Sequence, residues 1–546
     1  MNISRTQILN PLAGATERIR SAIPSIKKIC AVSGAPGLSL AVVHEGQTLY
    51  VGHIGYRDVQ SQLSPNDETR YSMNSMTKAM VAALVGIEVD QGKLHWDDKI
   101  KAHLPHFKST VPEVESSATI LDLLSHRSGI TNFDSIWLGS QNNPLLGNDQ
   151  ALAVFGSLKP LLPFRTSFFY NNWGYEVVAL VLQKVTGKDL ATLLRENLFE
   201  PLHLSRTSTF WDLADDNNAV SYGVLSDLSP VEIDRPKIGR GQIMEAAGGV
   251  KTTITDLIAI YKSYVFAIKD QFDKGTDSSP GSPFKQCRVI ATNHARMPQP
   301  RLREEGYAAG WARSQLPNEL GQVSLNPLIG PEPVAGKGSP SEIILYHHGS
   351  MPGSTSCVHL VPETQSAVIV LQNSLSTNDT ADLCGQALLE ALLGTPQRND
   401  YVEIASDYTS IDLRQMDKIK HELDSTRDVL TPPKSSTAYV GHYYNGLGNF
   451  CVEIFQDDDG SMKMRWQGLP IETYTLEHHH DDTFTWWMPY DEVASRGRYI
   501  MDFAAEYYVL RFSKGSDSTG RQMERLEWAW DPAMPYTPEV FTRRTP

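Results

Sequence analysis

The sequence predicts an α+β fold in which an antiparallel sheet is flanked by helices and joined by a helical subdomain, followed by a small all-β, barrel-like domain. Strand patterns lie near both ends of the first part of the chain, at 38–53 and at 357–371, and helical patterns occupy the interval between them. This order brings the first and last strands into one sheet covered by helices. Beyond residue 400, short strands and turns replace the helices, which is typical of a barrel or sandwich.

The strands of the first part are recognised as apolar runs bounded by turn residues. Residues 38–44 are mostly apolar, Glu45-Gly46 supplies a turn, and residues 47–53 continue as the second strand of a hairpin. Two more strands are predicted near the end of this part, at 357–361 and 367–371.

Helices are predicted where apolar residues recur every three or four positions. The clearest covers 75–91, where Met76, Met80 and Leu84 share a face and Gly92 gives a stop signal. The other helices predicted here are 10–30, 119–124, 173–196 with an interruption at Thr186-Gly187, 253–267 and 381–393. Residues 269–283 and 316–340, which are rich in turn-forming residues, are predicted to be exposed loops.

The change of pattern divides the chain into a main domain at 1–400, a helical linker at 401–436 and a β-domain at 437–546. Within the linker, residues 411–424 have an amphipathic helical pattern, and the Pro-containing stretch 431–436 is flexible in composition. A chain of 546 residues is too long for one ordinary core, which agrees with more than one domain.

Composition excludes several classes of function. A formal net charge of −14 argues against a protein that binds nucleic acid through phosphate contacts. The 5 cysteines are scattered without C-x-x-C spacing, so neither a disulfide framework nor a zinc site is indicated. Residues 1–8 lack the apolar core of a signal peptide, and no later run is long enough to span a bilayer. We therefore expect a cytoplasmic protein with no membrane partner.

The chemistry is predicted to centre on Ser75 and Lys78, which form an S-x-x-K pattern at the start of the buried helix. Residues three apart share one helix face, so the hydroxyl and the amine can meet in one pocket. A serine hydroxyl needs a nearby base to become a nucleophile. The alternative is a helix-capping serine beside a surface lysine. A second S-x-x-K match, Ser25 to Lys28, reads as a solvated helix face.

Six segments, in order along residues 30–395, resemble one family: the serine β-lactamases and penicillin-binding proteins, most closely their class C and esterase-like branch. These segments are Ser75-Met76-Thr77-Lys78, Leu123-Leu124-Ser125-His126-Arg127-Ser128-Gly129, Tyr170-Asn171-Asn172, Ala246-Ala247-Gly248-Gly249-Val250, Gly310-Trp311 and His347-His348-Gly349-Ser350. The resemblance implies a β-lactamase/transpeptidase-like catalytic domain at 1–400. The C-terminal part resembles the lipocalin-like domain attached to some members.

By this resemblance, Ser75 is the acyl-accepting nucleophile and Lys78 is the general base or a member of a shared proton network. Tyr170 is the partner base, or the acid that protonates the leaving group, and which of Lys78 and Tyr170 carries charge stays open. Asn172 is expected to hydrogen-bond Lys78 and the substrate. His126 is expected to fix a turn rather than to take part in the chemistry.

His347 stands where β-lactamases carry a lysine that binds the substrate carboxylate. This departure from K-T-G weakens the case for β-lactam substrates and resembles the esterase-like branch. Gly349 and Ser350 are expected on an edge strand, where the Ser350 N–H joins the Ser75 N–H in an oxyanion hole. The substrate-binding residues are thus predicted to be Asn172, His347, Gly349 and Ser350.

We expect a serine hydrolase that forms an acyl-enzyme on a small ester, thioester or amide and needs no cofactor. One alternative is an acyltransferase or chain-releasing thioesterase of secondary metabolism, with a carrier-protein-bound substrate; another is a non-catalytic binding protein on a degenerate hydrolase fold. No metal site is expected, because consecutive histidines such as His478-His479-His480 point to alternate faces of a strand. The acyl group, the acceptor and the oligomeric state stay open.

Overall fold

The computed structural model describes residues 11–299, 301–500, 503–515 and 522–544. The N-terminal stretch 1–8, from which the absence of a signal peptide was predicted, lies outside the described residues. None of the described helices combines the length and the apolar character needed to cross a membrane.

An eight-stranded antiparallel sheet forms the centre of the first part of the chain. Gly37–His44 pairs with Ser366–Gln372, so the first and last strands do lie side by side as predicted. The strands follow one another across the sheet in the order Gln47–Gly55, Gly37–His44, Ser366–Gln372, Ser354–Val361, Ile343–Met351, Ala312–Gln315, Glu305–Tyr307 and Ala295–Arg296.

Both faces of this sheet are buried. In Ser366–Gln372, Ile369 and Leu371 join one apolar core, whereas Val368 and Val370 join the other. Alternate side chains of this strand therefore pack into two different cores, which explains why its sequence is a continuous apolar run. Pro11–Val32 and Thr380–Leu393 pack together on one face, and Ile254–Lys274 covers the other.

The remaining helices form the predicted helical subdomain beside the sheet. Thr77–Asp90 runs through its middle and is buried along nearly its whole length. The other helices of this part are Ile100–His103, Pro112–Ser117, Ile120–Leu124, Ala151–Ser157, Asn172–Thr186, Leu190–Leu194, Glu245–Gly248 and Cys287–Ile290.

Two predicted loops differ from the structure. The helix predicted to end at 267 continues to Lys274 and stops at Gly275, which has a φ of 66°. Residues 316–340 contain a two-stranded ribbon, Asn318–Glu319 with Val334–Ala335, and bury Leu320. The proline-rich composition of this segment predicts that it has no long helix or strand, but it does not predict that part of the segment is buried.

The strand Ile343–Met351 carries the H-H-G-S segment and has a partly free edge. Its first half pairs with Ala312–Gln315 up to Tyr346, and its other side pairs with Ser354–Val361 along most of its length. Beyond Tyr346 the strand has no strand partner on the first side among the described residues, and that open edge faces the Ser75 turn.

The chain continues through two helices, Tyr401–Asp412 and Gln415–Ser425, where one helix at 411–424 was predicted. A nine-stranded antiparallel sheet then curls into a nearly closed barrel, as predicted, with buried Trp466, Trp486 and Trp528 inside. Its strands are Gly441–Tyr444, Cys451–Gln456, Met462–Trp466, Thr473–Thr475, Glu477–His480, Thr483–Thr485, Val509–Ser513, Arg525–Trp528 and Glu539–Arg544.

Candidate active site

Ser75 lies in a 3-10 turn, Asn74–Met76, that leads directly into the helix Thr77–Asp90. The preceding residue, Asn74, has a φ of 48°, which is uncommon for a residue other than glycine. Its side chain holds this conformation, because Oδ1 accepts a hydrogen bond from Ser72 Oγ at 2.7 Å and Nδ2 donates to the Ser354 carbonyl at 2.9 Å. Ser75 itself is only partly buried, so the turn presents its hydroxyl in a fixed position.

Lys78 meets Ser75 on the same helix face, and its side chain is fully buried. Its Nζ donates hydrogen bonds to Ser75 Oγ at 3.1 Å and to the Ala247 carbonyl at 2.8 Å. The same atom lies 4.8 Å from the centroid of the Tyr170 ring. The serine, the lysine and the tyrosine therefore converge, although Tyr170 lies 92 positions after Lys78 in the chain.

The environment of Lys78 makes its amine an unusually weak base for a lysine. Burial lowers its pKa from 10.5 to about 7, while the charges of Asp134 and Glu176 act in the opposite direction. A large share of the amine is thus neutral near pH 7 and able to accept a proton.

Tyr170 completes the group, and the neighbouring Ser75 side chain acts to lower the pKa of its hydroxyl. Burial raises its pKa well above the usual 10, so the phenol keeps its proton at neutral pH. His126 holds the segment in place: its Nδ1 accepts a hydrogen bond from the Asn171 N–H at 3.0 Å, and its ring packs on Tyr170 at 4.4 Å between centroids. This matches the positioning role predicted for His126.

Asn172 lies beside this group but makes a different contact from the one predicted. Its amide nitrogen donates to Asp134 Oδ2 at 2.9 Å. Within the described part of the chain it has no hydrogen bond to Lys78, whose Nζ donates to Ser75 Oγ and to the Ala247 carbonyl instead. Its predicted contact with a substrate stays a prediction.

Sequence reasoning missed the two acids that surround Lys78. Burial raises the pKa of Asp134, which also accepts a hydrogen bond from Trp137 Nε1. Burial raises the pKa of Glu176 to about 8, although the Ala246 N–H donates to it at 2.7 Å. Glu176 follows Asn172 by four residues, so helical spacing could have identified it. Asp134 lies in a segment without regular periodicity.

His347 is fully buried and is engaged at both ring nitrogens. Nδ1 lies 2.6 Å from the His348 carbonyl and must be the protonated nitrogen, so Nε2 accepts from the Tyr307 hydroxyl at 2.9 Å. Burial and the nearby Lys78 lower its pKa well below 6.5, so the ring is neutral. The structure places it behind Tyr170, with ring centroids 6.2 Å apart. Its predicted contact with a substrate stays untested.

Gly349 and Ser350 lie on the open edge of Ile343–Met351, next to the Ser75 turn. A side-chain carbon at Gly349 would come within 2.4 Å of the Met73 carbonyl oxygen, so the close approach requires glycine. Ser350 borders the cavity, and its Oγ lies 3.4 Å from the Tyr499 hydroxyl of the β-domain. The oxyanion role of its N–H stays a prediction.

A cavity of about 580 Å³ opens onto Ser75 and Tyr170. Both domains contribute to its wall. The β-domain contributes Tyr499, Phe503 and Pro532, and the main domain contributes Ser75 with residues from 132–139, 168–172, 297–298, 322–328 and 348–350. The volume suits a ligand of drug size.

Comparison with known proteins shows which protein families the chain matches. The family model "Beta-lactamase" matches residues 26–393, and "Domain of unknown function (DUF3471)" matches residues 426–543. Protein flp of Staphylococcus aureus (strain COL) is 31% identical over 345 residues, which cover 62% of this chain and 59% of that protein. The chain thus matches less than two thirds of the length of this curated relative.

A relative with wider coverage is the "Unguisins hydrolase ungD" of Aspergillus violaceofuscus, which is 24% identical over 494 residues, 82% of this chain and 79% of that protein. The solved octameric penicillin-binding protein homologue from Pyrococcus abyssi shares the fold, with a TM-score of 0.55 at 20% identity, over 96% of this chain and 99% of that one. Because the family model spans most of the sequence and includes every residue around Ser75 except those from the β-domain, the chain belongs to the beta-lactamase family.

Proposed function

We propose that the chain is a serine hydrolase that forms an acyl-enzyme at Ser75. One observation carries the proposal: a buried amine with a pKa of about 7, that of Lys78, lies 3.1 Å from a partly exposed serine hydroxyl. Burial lowers the pKa of an amine, and a neutral amine beside a serine hydroxyl can activate that hydroxyl as a nucleophile. A capping serine beside a surface lysine would show neither the burial nor the contact.

In the proposed reaction, neutral Lys78 takes the proton from Ser75 Oγ as the oxygen attacks the substrate carbonyl carbon. The Ser75 and Ser350 N–H groups stabilise the oxyanion. Tyr170 donates its proton to the leaving group, which departs as the carbonyl re-forms, and Tyr170 is reprotonated from Lys78. A water molecule then attacks the acyl-enzyme by the same proton route and releases the acid.

We propose an esterase-like preference for small esters, thioesters or amides. A neutral, buried His347 offers no positive charge at the position where a substrate carboxylate would otherwise be held. The relative named as a hydrolase of unguisins is similar over 82% of this chain, which supports hydrolysis as the reaction type.

Labelling with a fluorophosphonate probe tests the proposal directly. The full chain should gain one adduct in intact mass, and Ser75→Ala should gain none. Ser25→Ala is the matched control, because Ser25 opens the second S-x-x-K match but lies exposed on the first helix. Equal labelling of Ser75→Ala, or no labelling of the unaltered chain, would support a non-catalytic binding protein instead.

Acyl transfer is the second candidate, because the same three residues serve an alcohol, amine or thiol in place of water. The cavity has room for an acceptor beside a small acyl group. A labelled acyl thioester, free or carrier-bound, distinguishes the two: label recovered on an added alcohol or amine supports transfer, and label recovered as free acid supports hydrolysis.

A further inference from the structure

A second group of chemically capable side chains lies in the main domain, away from Ser75. It consists of His348 on the strand Ile343–Met351, His359 on Ser354–Val361, and Asp382 on the helix Thr380–Leu393. All three are buried, and one ligand-type atom from each lies within 4.8 Å of the others. Because side chains alternate along a strand, His348 points to the opposite sheet face from its neighbours His347 and Gly349.

The histidines of this group lack the hydrogen bonds that burial normally demands. Among the described residues, neither ring nitrogen of His359 has a hydrogen-bond partner, although the side chain is fully buried. His348 Nε2 lies 3.0 Å from Asp382 Oδ1, without the alignment of a hydrogen bond. Unpaired buried polar atoms are costly. An ion bound between the three side chains would give these nitrogens a partner.

Three carboxyl groups lie together at this site. Glu332 and Asp379 lie near Asp382, whose N–H donates to Asp379 Oδ1 at 3.2 Å. Among the described residues, none of these three carboxyl groups forms an ion pair with a lysine or arginine, and Asp382 faces only His348, at 3.0 Å. By contrast, the buried Asp122 elsewhere in this domain pairs with two arginines.

The carboxylate of Asp382 is oriented as a metal ligand usually is. Asn326 Nδ2 donates to its Oδ2 at 2.8 Å, and Gln386 Nε2 donates to its Oδ1 at 2.8 Å. Such surrounding hydrogen bonds fix the direction of a ligating oxygen. Both donors are themselves buried, so the orientation does not depend on solvent.

We propose that His348, His359 and Asp382 bind one divalent transition-metal ion, with zinc as the best match to two imidazoles and one carboxylate. Ligand atoms around tetrahedral zinc lie about 3.4 Å apart. His348 Nε2 and Asp382 Oδ1 are already within this distance, at 3.0 Å, and the widest of the three separations, which is at most 4.8 Å, has to shorten by about 1.4 Å or less. His348 is also among the residues that line the cavity. The ion would tie two sheet strands to the covering helix and thereby fix the strand that carries Gly349.

Metal analysis of the full-length protein, purified from zinc-supplemented cells and desalted through a weak chelator, tests this site. About one zinc per chain is expected. His359→Asn and Asp382→Asn should each lose most of it. The matched control is the double variant His478→Ala/His480→Ala, which removes histidines of the β-domain and should keep the full metal content.

A second measurement uses only the unaltered protein, so it does not require that any variant folds. The unaltered protein, stripped with a strong chelator, should melt at a lower temperature and recover its original melting temperature with one equivalent of zinc. With cobalt it should show the visible absorption of a four-coordinate ion. Absence of stoichiometric metal together with no zinc-dependent change in melting would overturn the proposal, as would retention of metal by a folded His359→Asn protein.

Discussion

Gly349 approaches the Met73 carbonyl so closely that a side-chain carbon at position 349 would lie 2.4 Å from that oxygen. The same carbon would lie 2.5 Å from Ser356 Oγ, which itself donates to the Met73 carbonyl at 2.9 Å. Both neighbours belong to rigid backbone or to a hydrogen-bonded side chain, so neither can move cheaply. The distance between the Ser75 turn and the adjacent strand is therefore set by the missing side chain of one glycine.

We expect Gly349→Ala to lower kcat/KM for ester hydrolysis by about 100-fold, because a displacement near 1 Å of the strand or the turn misplaces the oxyanion donors. Steady-state kinetics with a chromogenic ester measures the loss. Gly14→Ala is the control, since a side-chain carbon there meets only Arg18 Nη1 at 3.6 Å. Unchanged kinetics in Gly349→Ala would show that strand and turn can separate without consequence.

The pH dependence of kcat/KM should report the titration of Lys78. If its neutral amine is the base, activity rises with pH through about 7, where the pKa of Lys78 lies. The protonated fraction inactivates the enzyme below that pH, about tenfold per pH unit. The raised pKa of Tyr170 predicts no matching fall at moderately alkaline pH. A profile that instead declines above pH 7 would mean that Lys78 must be charged and that a phenolate is the base.

Asp134→Asn should shift the acidic side of this pH profile, the limb on which kcat/KM rises with pH, to lower pH. The negative charge of Asp134 favours the charged form of Lys78, so its removal lowers the pKa of the amine further. Asp149→Asn is the control, because Asp149 is exposed and is not among the groups that shift the pKa of Lys78. If this limb does not shift in Asp134→Asn, the group that titrates near pH 7 is not Lys78.

Tyr170→Phe should reduce kcat by two to four orders of magnitude, the usual loss for a proton-transfer group. Labelling of Ser75 by a fluorophosphonate, whose fluoride needs no protonation by tyrosine to leave, should slow far less. Comparison of the two rates thus separates proton donation from correct folding. Tyr444→Phe, in the β-domain, serves as the control. Equal losses in both assays would indicate that Tyr170 acts by shaping the site.

The sequence predicts the parts of this site that carry a local pattern. Helical spacing of Ser75 and Lys78, the turn at His126 and the pairing of the terminal strands all have such patterns, and the structure has the corresponding geometry. No local sequence pattern identifies Asp134, because its role depends on the fold that brings it beside Lys78. The burial of His347 was also not evident from the sequence, since His347 contacts Tyr307, which lies two strands away in the sheet.

The capping carboxylate Asp122 supports the loops around Tyr170, and its removal should destabilise the fold. Its side chain is fully buried and pairs with Arg127 Nε and Arg165 Nη2, each at 2.6 Å. We expect Asp122→Ala to lower the free energy of unfolding by about 2–3 kcal/mol, because the helix loses a cap at Thr119 and two partly exposed guanidinium groups lose their partner. Asp424→Ala, which breaks a surface pair with Lys420, should cost about 0.5 kcal/mol or less. Chemical denaturation measures both, and similar losses would contradict the burial argument.

The β-domain should determine which acyl groups fit the cavity, because Tyr499 and Phe503 form part of its wall. Tyr499 also reaches the catalytic edge, where its hydroxyl lies 3.4 Å from Ser350 Oγ. We expect Tyr499→Ala to enlarge the cavity and to raise kcat/KM for bulky acyl esters relative to acetyl esters. A series of p-nitrophenyl esters of increasing chain length measures the ratio.

Tyr536→Ala is the matched control for this experiment, since Tyr536 lies in the same domain but is 84% exposed. Its ratio of long-chain to short-chain activity should equal that of the unaltered chain. An identical ratio in Tyr499→Ala would show that the β-domain closes the cavity without selecting its contents. A changed ratio in Tyr499→Ala alone would assign acyl selection to a residue more than 400 positions from the nucleophile, which only the folded arrangement of the two domains brings to the site.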